Sequence, residues 1–146
     1  MEITQDFKEF IQLLNANKVE YLVVGGFAVA AHGFPRYTGD IDFWVKSSIE
    51  NAKKLISALI QFGFGSMDIT EEDFLKKDFV VQLGYPPNRI DILTGVTGLD
   101  FKESWKERVE IETEGEKINY ISLHHLKINK KQTGREKDNI DLNNLP

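Results

Sequence analysis

An apolar run that ends in two glycines and is followed shortly by Asp-x-Asp constrains this chain more than any other feature. Tyr21-Leu22-Val23-Val24 has the length and β-branched content of a buried strand, and it stops at Gly25-Gly26. Phe27 to His32 reads as a helix because Ala28, Ala30 and Ala31 are strong helix formers, and Gly33 is a suitable stop. The glycines therefore fall on a strand-to-helix turn. There the backbone can approach a ligand closely, and the free N–H groups of a first helical turn make an anion site. Asp40 to Val45 is a second strand. Alternation places Asp40 and Asp42 on one face and sends Ile41 and Phe43 into the core. Two carboxylates on one face repel each other, and the usual remedy is a cation between them. A phosphate-binding turn beside paired carboxylates points to metal-assisted phosphoryl or nucleotidyl chemistry.

The rest of the chain reads as support for this stretch. Thr4 to Asn17 carries Phe7, Phe10, Ile11 and Leu14 at helical spacing, an amphipathic helix that covers a sheet. Ser48 to Phe62 is a second such helix, capped by Ser47 or Ser48 and stopped at Gly63. Thr70-Glu71-Glu72-Asp73 has the form of a capping box for a short helix reaching about Lys77. Phe79 to Leu83 and Arg89 to Leu93 form a hairpin around Gly84-Tyr85-Pro86-Pro87-Asn88. Asp91 lies between Ile90 and Ile92, where a carboxylate needs a reason, because an unpaired buried charge is costly. Its structural alternative is a pair with Arg89, taken as one face over. Thr94 to Leu99 is expected as a mobile loop at the site's rim, followed by a short helix from Asp100 to Glu107. A hairpin over Glu114-Gly115-Glu116 comes next, then a helix capped by Ser122. His32 reads as structural. His124 and His125 are neighbours on that helix and so do not share a face, which argues against a paired metal site.

At the end, Lys130, Arg135 and Lys137 concentrate positive charge around Gly134, with Asp138 and Asp141 on one helix face. Charge alone would make this a solvated terminus. Asp138 and Asp141 could also hold the basic side chains in place.

Taken together, these motifs resemble the nucleotidyltransferase superfamily (polymerase beta-like fold), whose pattern is an apolar strand, Gly-Gly or Gly-Ser, and Asp-x-Asp in a second strand. The chain is most similar to the small bacterial AbiEii/AbiGii-type nucleotidyltransferases. It carries Arg36-Tyr37-Thr38-Gly39-Asp40-Ile41-Asp42-Phe43 where they have Arg-x-Thr-x-Asp-Ile-Asp-Phe. Its Lys130 to Asp141 segment matches their Lys-x-x-x-Gly-Arg-x-Lys-Asp-x-x-Asp. The resemblance implies an α/β (α+β) fold, a small mixed sheet flanked by helices, as one domain over residues 1–146. It implies Mg²⁺ (or Mn²⁺) held by Asp40, Asp42 and Asp91, which would also be the catalytic residues. Gly25, Gly26, Arg36, Thr38, Lys130 and Arg135 would contact the nucleotide. The reaction implied is transfer of a nucleoside monophosphate from an NTP to an acceptor hydroxyl on tRNA, protein or a small molecule. The protein would then be the toxin-type half of a toxin–antitoxin or phage-defence pair. The alternatives are an antibiotic-modifying nucleotidyltransferase and a catalytically silent nucleotide- or partner-binding module.

Composition narrows the partners. A formal net charge of −5 argues against an extended nucleic-acid-binding face, though not against a local basic pocket. The absence of cysteine excludes disulfides and thiolate zinc sites and suits a cytoplasmic location. No apolar run reaches membrane-spanning length, and the N-terminus is unlike a signal peptide. The motifs use nearly all of the 146 residues. A homo-oligomer or a partner protein is therefore expected to complete the acceptor side, through Tyr85, Phe101 and Trp105 as exposed aromatics.

Overall fold

The first helix forms where the sequence places both a cap and a stripe. The Thr4 hydroxyl accepts the Phe7 N–H at 3.2 Å, and α1 runs over Gln5–Ala16 with Phe7, Phe10, Ile11 and Leu14 buried. Each such side chain contributes roughly 1.5–3 kcal/mol on burial. In this computed structural model, which describes residues 3–65 and 68–146, the chain continues through β1 (Tyr21–Val24), α2 (Gly25–Ala31) and β2 (Ile41–Val45). Then come α3 (Ile49–Leu59), β3 (Val80–Leu83), β4 (Ile90–Leu93), α4 (Phe101–Lys106), β5 (Val109–Thr113), β6 (Glu116–Tyr120), α5 (Leu123–Thr133) and α6 (Glu136–Asn144).

The sheet has the order β3-β4-β2-β1-β6-β5. It is mixed: β2 runs antiparallel to β1 but parallel to β4, and β1 runs parallel to β6. The hairpins expected from sequence close both edges, β3 with β4 and β5 with β6. Both faces are covered. Phe43 meets Tyr21 at 5.6 Å and the α1 residue Phe10 at 5.3 Å on one side, while Trp44 meets Phe101 of α4 at 5.1 Å on the other. Alternation therefore puts Asp42 on the α4 side, the side of Trp44.

Caps fall where the sequence offers them. Ser48, Asp100 and Ser122 each accept an N–H from the first turn of the helix they precede, and Thr70 and Asp73 form the expected capping box on a short 3₁₀ turn, Glu71–Leu75. Two boundaries differ from expectation. Helix α2 begins at Gly25 itself, so the glycines are its first turn and not a separate loop. After Leu59 the chain widens into a π-helical turn over Ile60–Phe64, with Gly63 at φ 105° beyond the reach of most side chains.

One buried polar side chain ties the antiparallel pair β1 and β2 at the end away from α2. Asn51 of α3 accepts the Glu20 N–H at 2.8 Å and donates to the carbonyls of Glu20 (3.1 Å) and Lys46 (2.9 Å).

Candidate active site

Asp42 and Asp91 come together because β2 and β4 are parallel and in register, with Asp42 directly opposite Asp91. Asp40 enters just before β2. Its Oδ1 accepts the Arg89 backbone N–H at 3.0 Å, and Arg89 in turn accepts the Ile41 N–H at 3.0 Å. The glycine turn closes the third side: Val24 faces Asp42 across β1 and β2, and Gly25 follows it. Gly25 has φ +68°, and a side chain there would run into the Asp42 carboxylate. Gly26 lies against Thr38, whose Oγ1 would stand 2.7 Å from an added Cβ, and the Thr38 hydroxyl donates to the Asp40 carbonyl at 3.3 Å. Five of the residues singled out from sequence, Gly25, Gly26, Thr38, Asp40 and Asp42, thus form one continuous wall, with Asp91 beside it.

The electrostatics of this wall are unbalanced. Burial, then the charge of Asp91 and a hydrogen bond with it, then the charge of Asp40, push the Asp42 carboxyl up to about 7, against a partial offset from Arg89. The Arg89 fork is spent elsewhere: Nε and Nη2 donate to the two oxygens of Asp91 at 2.7 and 3.0 Å, and Nη2 lies 3.5 Å from Asp40 Oδ2. The Arg89–Asp91 pair weighed as an alternative is therefore present together with the Asp42–Asp91 register. Arg89 is not one face over; residues two apart on an extended chain share a face. That spacing was the signal by which the sequence could have placed Arg89 in the site. Asp42 is the one carboxylate of the three without a cation of its own; it and Asp40, the latter only loosely met by Arg89 at 3.5 Å, are hard oxygen donors of the kind that suit a divalent ion such as Mg²⁺ or Mn²⁺.

The basic residues expected at the nucleotide form a second cluster. Arg36 makes a two-pronged bond to Asp141 at 2.9 and 3.0 Å. Lys130 is buried between Asp141 (2.9 Å) and Asp138 (3.3 Å), and Arg135 binds Asp138 at 2.8 Å. Burial tends to raise the Asp138 carboxyl. The bonds from Arg135 and the Thr133 hydroxyl, and the Lys130 charge, outweigh it and hold the group well below its usual range. Asp138 and Asp141 thus do hold the basic side chains in place. Arg36 joins this cluster to the segment that leads to Thr38 and Asp40.

Other expectations fare unevenly. His32 is structural: its Nε2 lies 2.6 Å from the Ile121 carbonyl oxygen. Phe101 and Trp105 are not exposed contacts. They are half-buried and stacked on each other at 5.7 Å, with Phe101 against Trp44, whereas Tyr85 is 87% exposed. The loop from Thr94 to Leu99 is tied to α5 through Asn129, which donates to the Thr97 carbonyl at 3.0 Å. It borders a cavity of about 620 Å³ together with Trp44, Lys46 and Phe101. The Trp44 indole N–H has no hydrogen-bond partner among the described residues. His124 and His125 depart from the expectation that they form no metal site: their rings come to 5.2 Å, and with Glu107 they place one ligand atom each within 4.8 Å of one another, a group that could hold a metal ion.

The architecture is the nucleotidyltransferase fold. It is shared with a Thermotoga maritima protein named as a candidate nucleotidyltransferase, at TM-score 0.62 and 20% identity over 93% of this chain and 87% of that one. It is shared also with the lincosamide antibiotic adenylyltransferase LnuA in its lincomycin-bound form, at TM-score 0.59 and 19% identity over 99% of this chain and 97% of that one. No family model and no curated protein matches the sequence. Among the described residues no helix is long and apolar enough to cross a membrane.

Proposed function

We propose that this protein is a divalent-metal-dependent nucleotidyltransferase that moves a nucleoside monophosphate from an NTP to an acceptor hydroxyl and releases pyrophosphate. The observation that carries this reading is the in-register pair Asp42 and Asp91, with Asp40, against the Gly25-Gly26 turn. Asp40 and Asp42 are the residues that would hold Mg²⁺ or Mn²⁺, and the ion when bound would offset the charge of the triphosphate and of the leaving pyrophosphate. Gly25 and Gly26, lacking side chains, let phosphate oxygens reach the backbone of the first turn of α2. Asp91 accepts the proton of the acceptor hydroxyl as its oxygen attacks the α-phosphorus and the bond to the pyrophosphate oxygen breaks. Arg36, Thr38 and Arg135 would meet the phosphate chain, while Lys130, buried between Asp138 and Asp141, would act by holding that cluster in place. Of these, Arg135 has the freest side chain, 57% exposed.

The role as the toxin-type half of a defence pair, with a tRNA or protein acceptor, is one form of this proposal. A small-molecule acceptor is the second form. It draws on the cavity beside Trp44, whose 620 Å³ lies within the size range of small-ligand sites; none of the three aspartates lines it, and its link to them is Trp44, which shares a strand face with Asp42. The fold shared with LnuA supports it. Tyr85, at the turn between β3 and β4, is exposed and would be open to a second protomer or a partner protein, which sedimentation at micromolar concentration tests: a strict monomer removes that role. The deciding experiment is transfer from α-labelled NTPs to pooled tRNA, protein and small hydroxylated antibiotics, with and without Mg²⁺. Label in one pool only, lost on chelation, identifies the acceptor class. No label in any pool returns the chain to a silent binding module.

A further inference from the structure

We infer that the Arg89 guanidinium is this protein's own second cation at the carboxylate wall, so that the site takes one divalent ion where three free carboxylates would take two. The inference rests on the nucleotidyltransferase reading of the site. Arg89 engages both carboxylates that flank Asp42. Its fork closes on the two oxygens of Asp91 at 2.7 and 3.0 Å, its Nη2 stands 3.5 Å from Asp40 Oδ2, and its backbone N–H holds Asp40 Oδ1 at 3.0 Å. An ion bridging all three aspartates needs an oxygen of Asp91, and both carry a guanidinium bond. The two-pronged pair is the geometry in which arginine binds carboxylate most firmly. A divalent ion placed on the same carboxylate would face that positive charge at close range. The Arg89 and Asp91 side chains are 24% and 10% exposed, so little water is there to screen the repulsion.

The backbone keeps Arg89 where it is. Its carbonyl accepts the Ile41 N–H at 3.0 Å, and the preceding Asn88 donates to the Gly39 carbonyl at 2.8 Å. Both bonds tie it to the entrance of β2, next to Asp40. Asp91 keeps further lone pairs, since each carboxylate oxygen has two, and these remain for the acceptor proton. Arg89 is thus a positioning residue: it orients Asp91 and supplies a fixed positive charge beside it.

The test is a count of bound Mn²⁺ by electron paramagnetic resonance, with every chain, the wild type included, carrying His124→Ala so that the Glu107–His124–His125 group adds no ion, and with each of the four α,β-methylene nucleoside triphosphates in turn. One ion per wild-type chain is expected, one in Arg89→Lys, which keeps the charge, and two in Arg89→Gln, which removes it. Two ions in the wild type, or one in a folded Arg89→Gln, overturns the inference and leaves the nucleotidyltransferase reading standing. The wild-type count decides even if Arg89→Gln does not fold. Neither Mn²⁺ nor nucleotide bound by the wild type overturns that reading and the inference with it.

Discussion

Asp40, Asp42 and Asp91 share a single arginine, whereas Asp138 and Asp141 stand among Arg36, Lys130 and Arg135. The same side chain is pushed in opposite directions by the two settings. Asp42 is raised to about 7 by burial and by its acidic neighbours, and Asp138 is held below its usual range by bonded cations that overcome burial. Buried carboxylates matched or exceeded by cations are a structural solution, complete within the chain. Half-buried carboxylates outnumbering their cations are left to be neutralised by a proton, as the raised Asp42 carboxyl shows, or by a cation from outside. The contrast separates the wall that would bind a metal from the cluster that fastens α6 to α5 and to the segment before β2.

The largest effect that would sharpen this contrast is expected from Asp42→Asn. Turnover should fall by about a thousandfold, the scale seen when a principal charge-stabilising group is lost. The metal-free protein should meanwhile melt at a higher temperature, because a repulsion is removed. Wild-type turnover at saturating Mg²⁺ would show that Asp42 holds no metal. Next is Asp138→Ala, which strips a buried Lys130 of one partner. It should cost about 3–5 kcal/mol, a fall in Tm of roughly 10 °C, with or without metal. A melt within a degree of wild type would break the distinction between the two clusters.

pH tests both at once. The folded value for Asp42 lies above its ordinary 3.8, so its contribution to stability is full below about pH 4 and is lost as pH rises through about 7. The folded values of Asp138 and Asp141 are lowered, burial being outweighed by their bonded cations, so theirs is present above the ordinary carboxylate range and is lost on further acidification. Metal-free melts should therefore fall from pH 4 to 7 in the wild type and be flat there in Asp42→Asn. A wild-type curve flat over that window contradicts the raised carboxyl. The smallest effect is expected from Arg135→Ala, whose side chain is more than half exposed. Stability should change by less than about 1 kcal/mol. The nucleotide KM should rise severalfold with kcat nearly kept, as for a contact to non-reacting phosphates. An unchanged KM would leave Arg135 with a purely structural task.

Much of the frame was legible in the sequence, because it is written in local signals. Ser48, Thr70 and Ser122 cap their helices, Gly134 takes the left-handed conformation between α5 and α6, and the alternation of β2 sends Ile41 and Phe43 inward as expected. Asp91 was legible as an anomaly in an apolar strand. What was not legible was pairing across distance. Arg36 and Asp141 are 105 positions apart, and nothing local announces that they meet. Phe101 and Trp105 looked available because a short amphipathic helix does not reveal which neighbour, here Trp44, it will lie against. Arg89 was seen as a competitor for Asp91, and its second hold on Asp40 appears only once β2 and β4 are side by side.

Asn51 gives the wall a remote dependence. Its three bonds fasten the start of β1 to the end of β2, far along the strands from Asp42, and so fix how the two slide past each other. In a strand, which residues face which way is a matter of phase. A slip of one residue would carry Asp42 into the layer beneath and turn Ile41 or Phe43 up in its place. The position of the Asp42 carboxylate is therefore tied to a side chain at the other end of the strands. A change at Asn51 would loosen that end of the pair while every aspartate remained in the sequence.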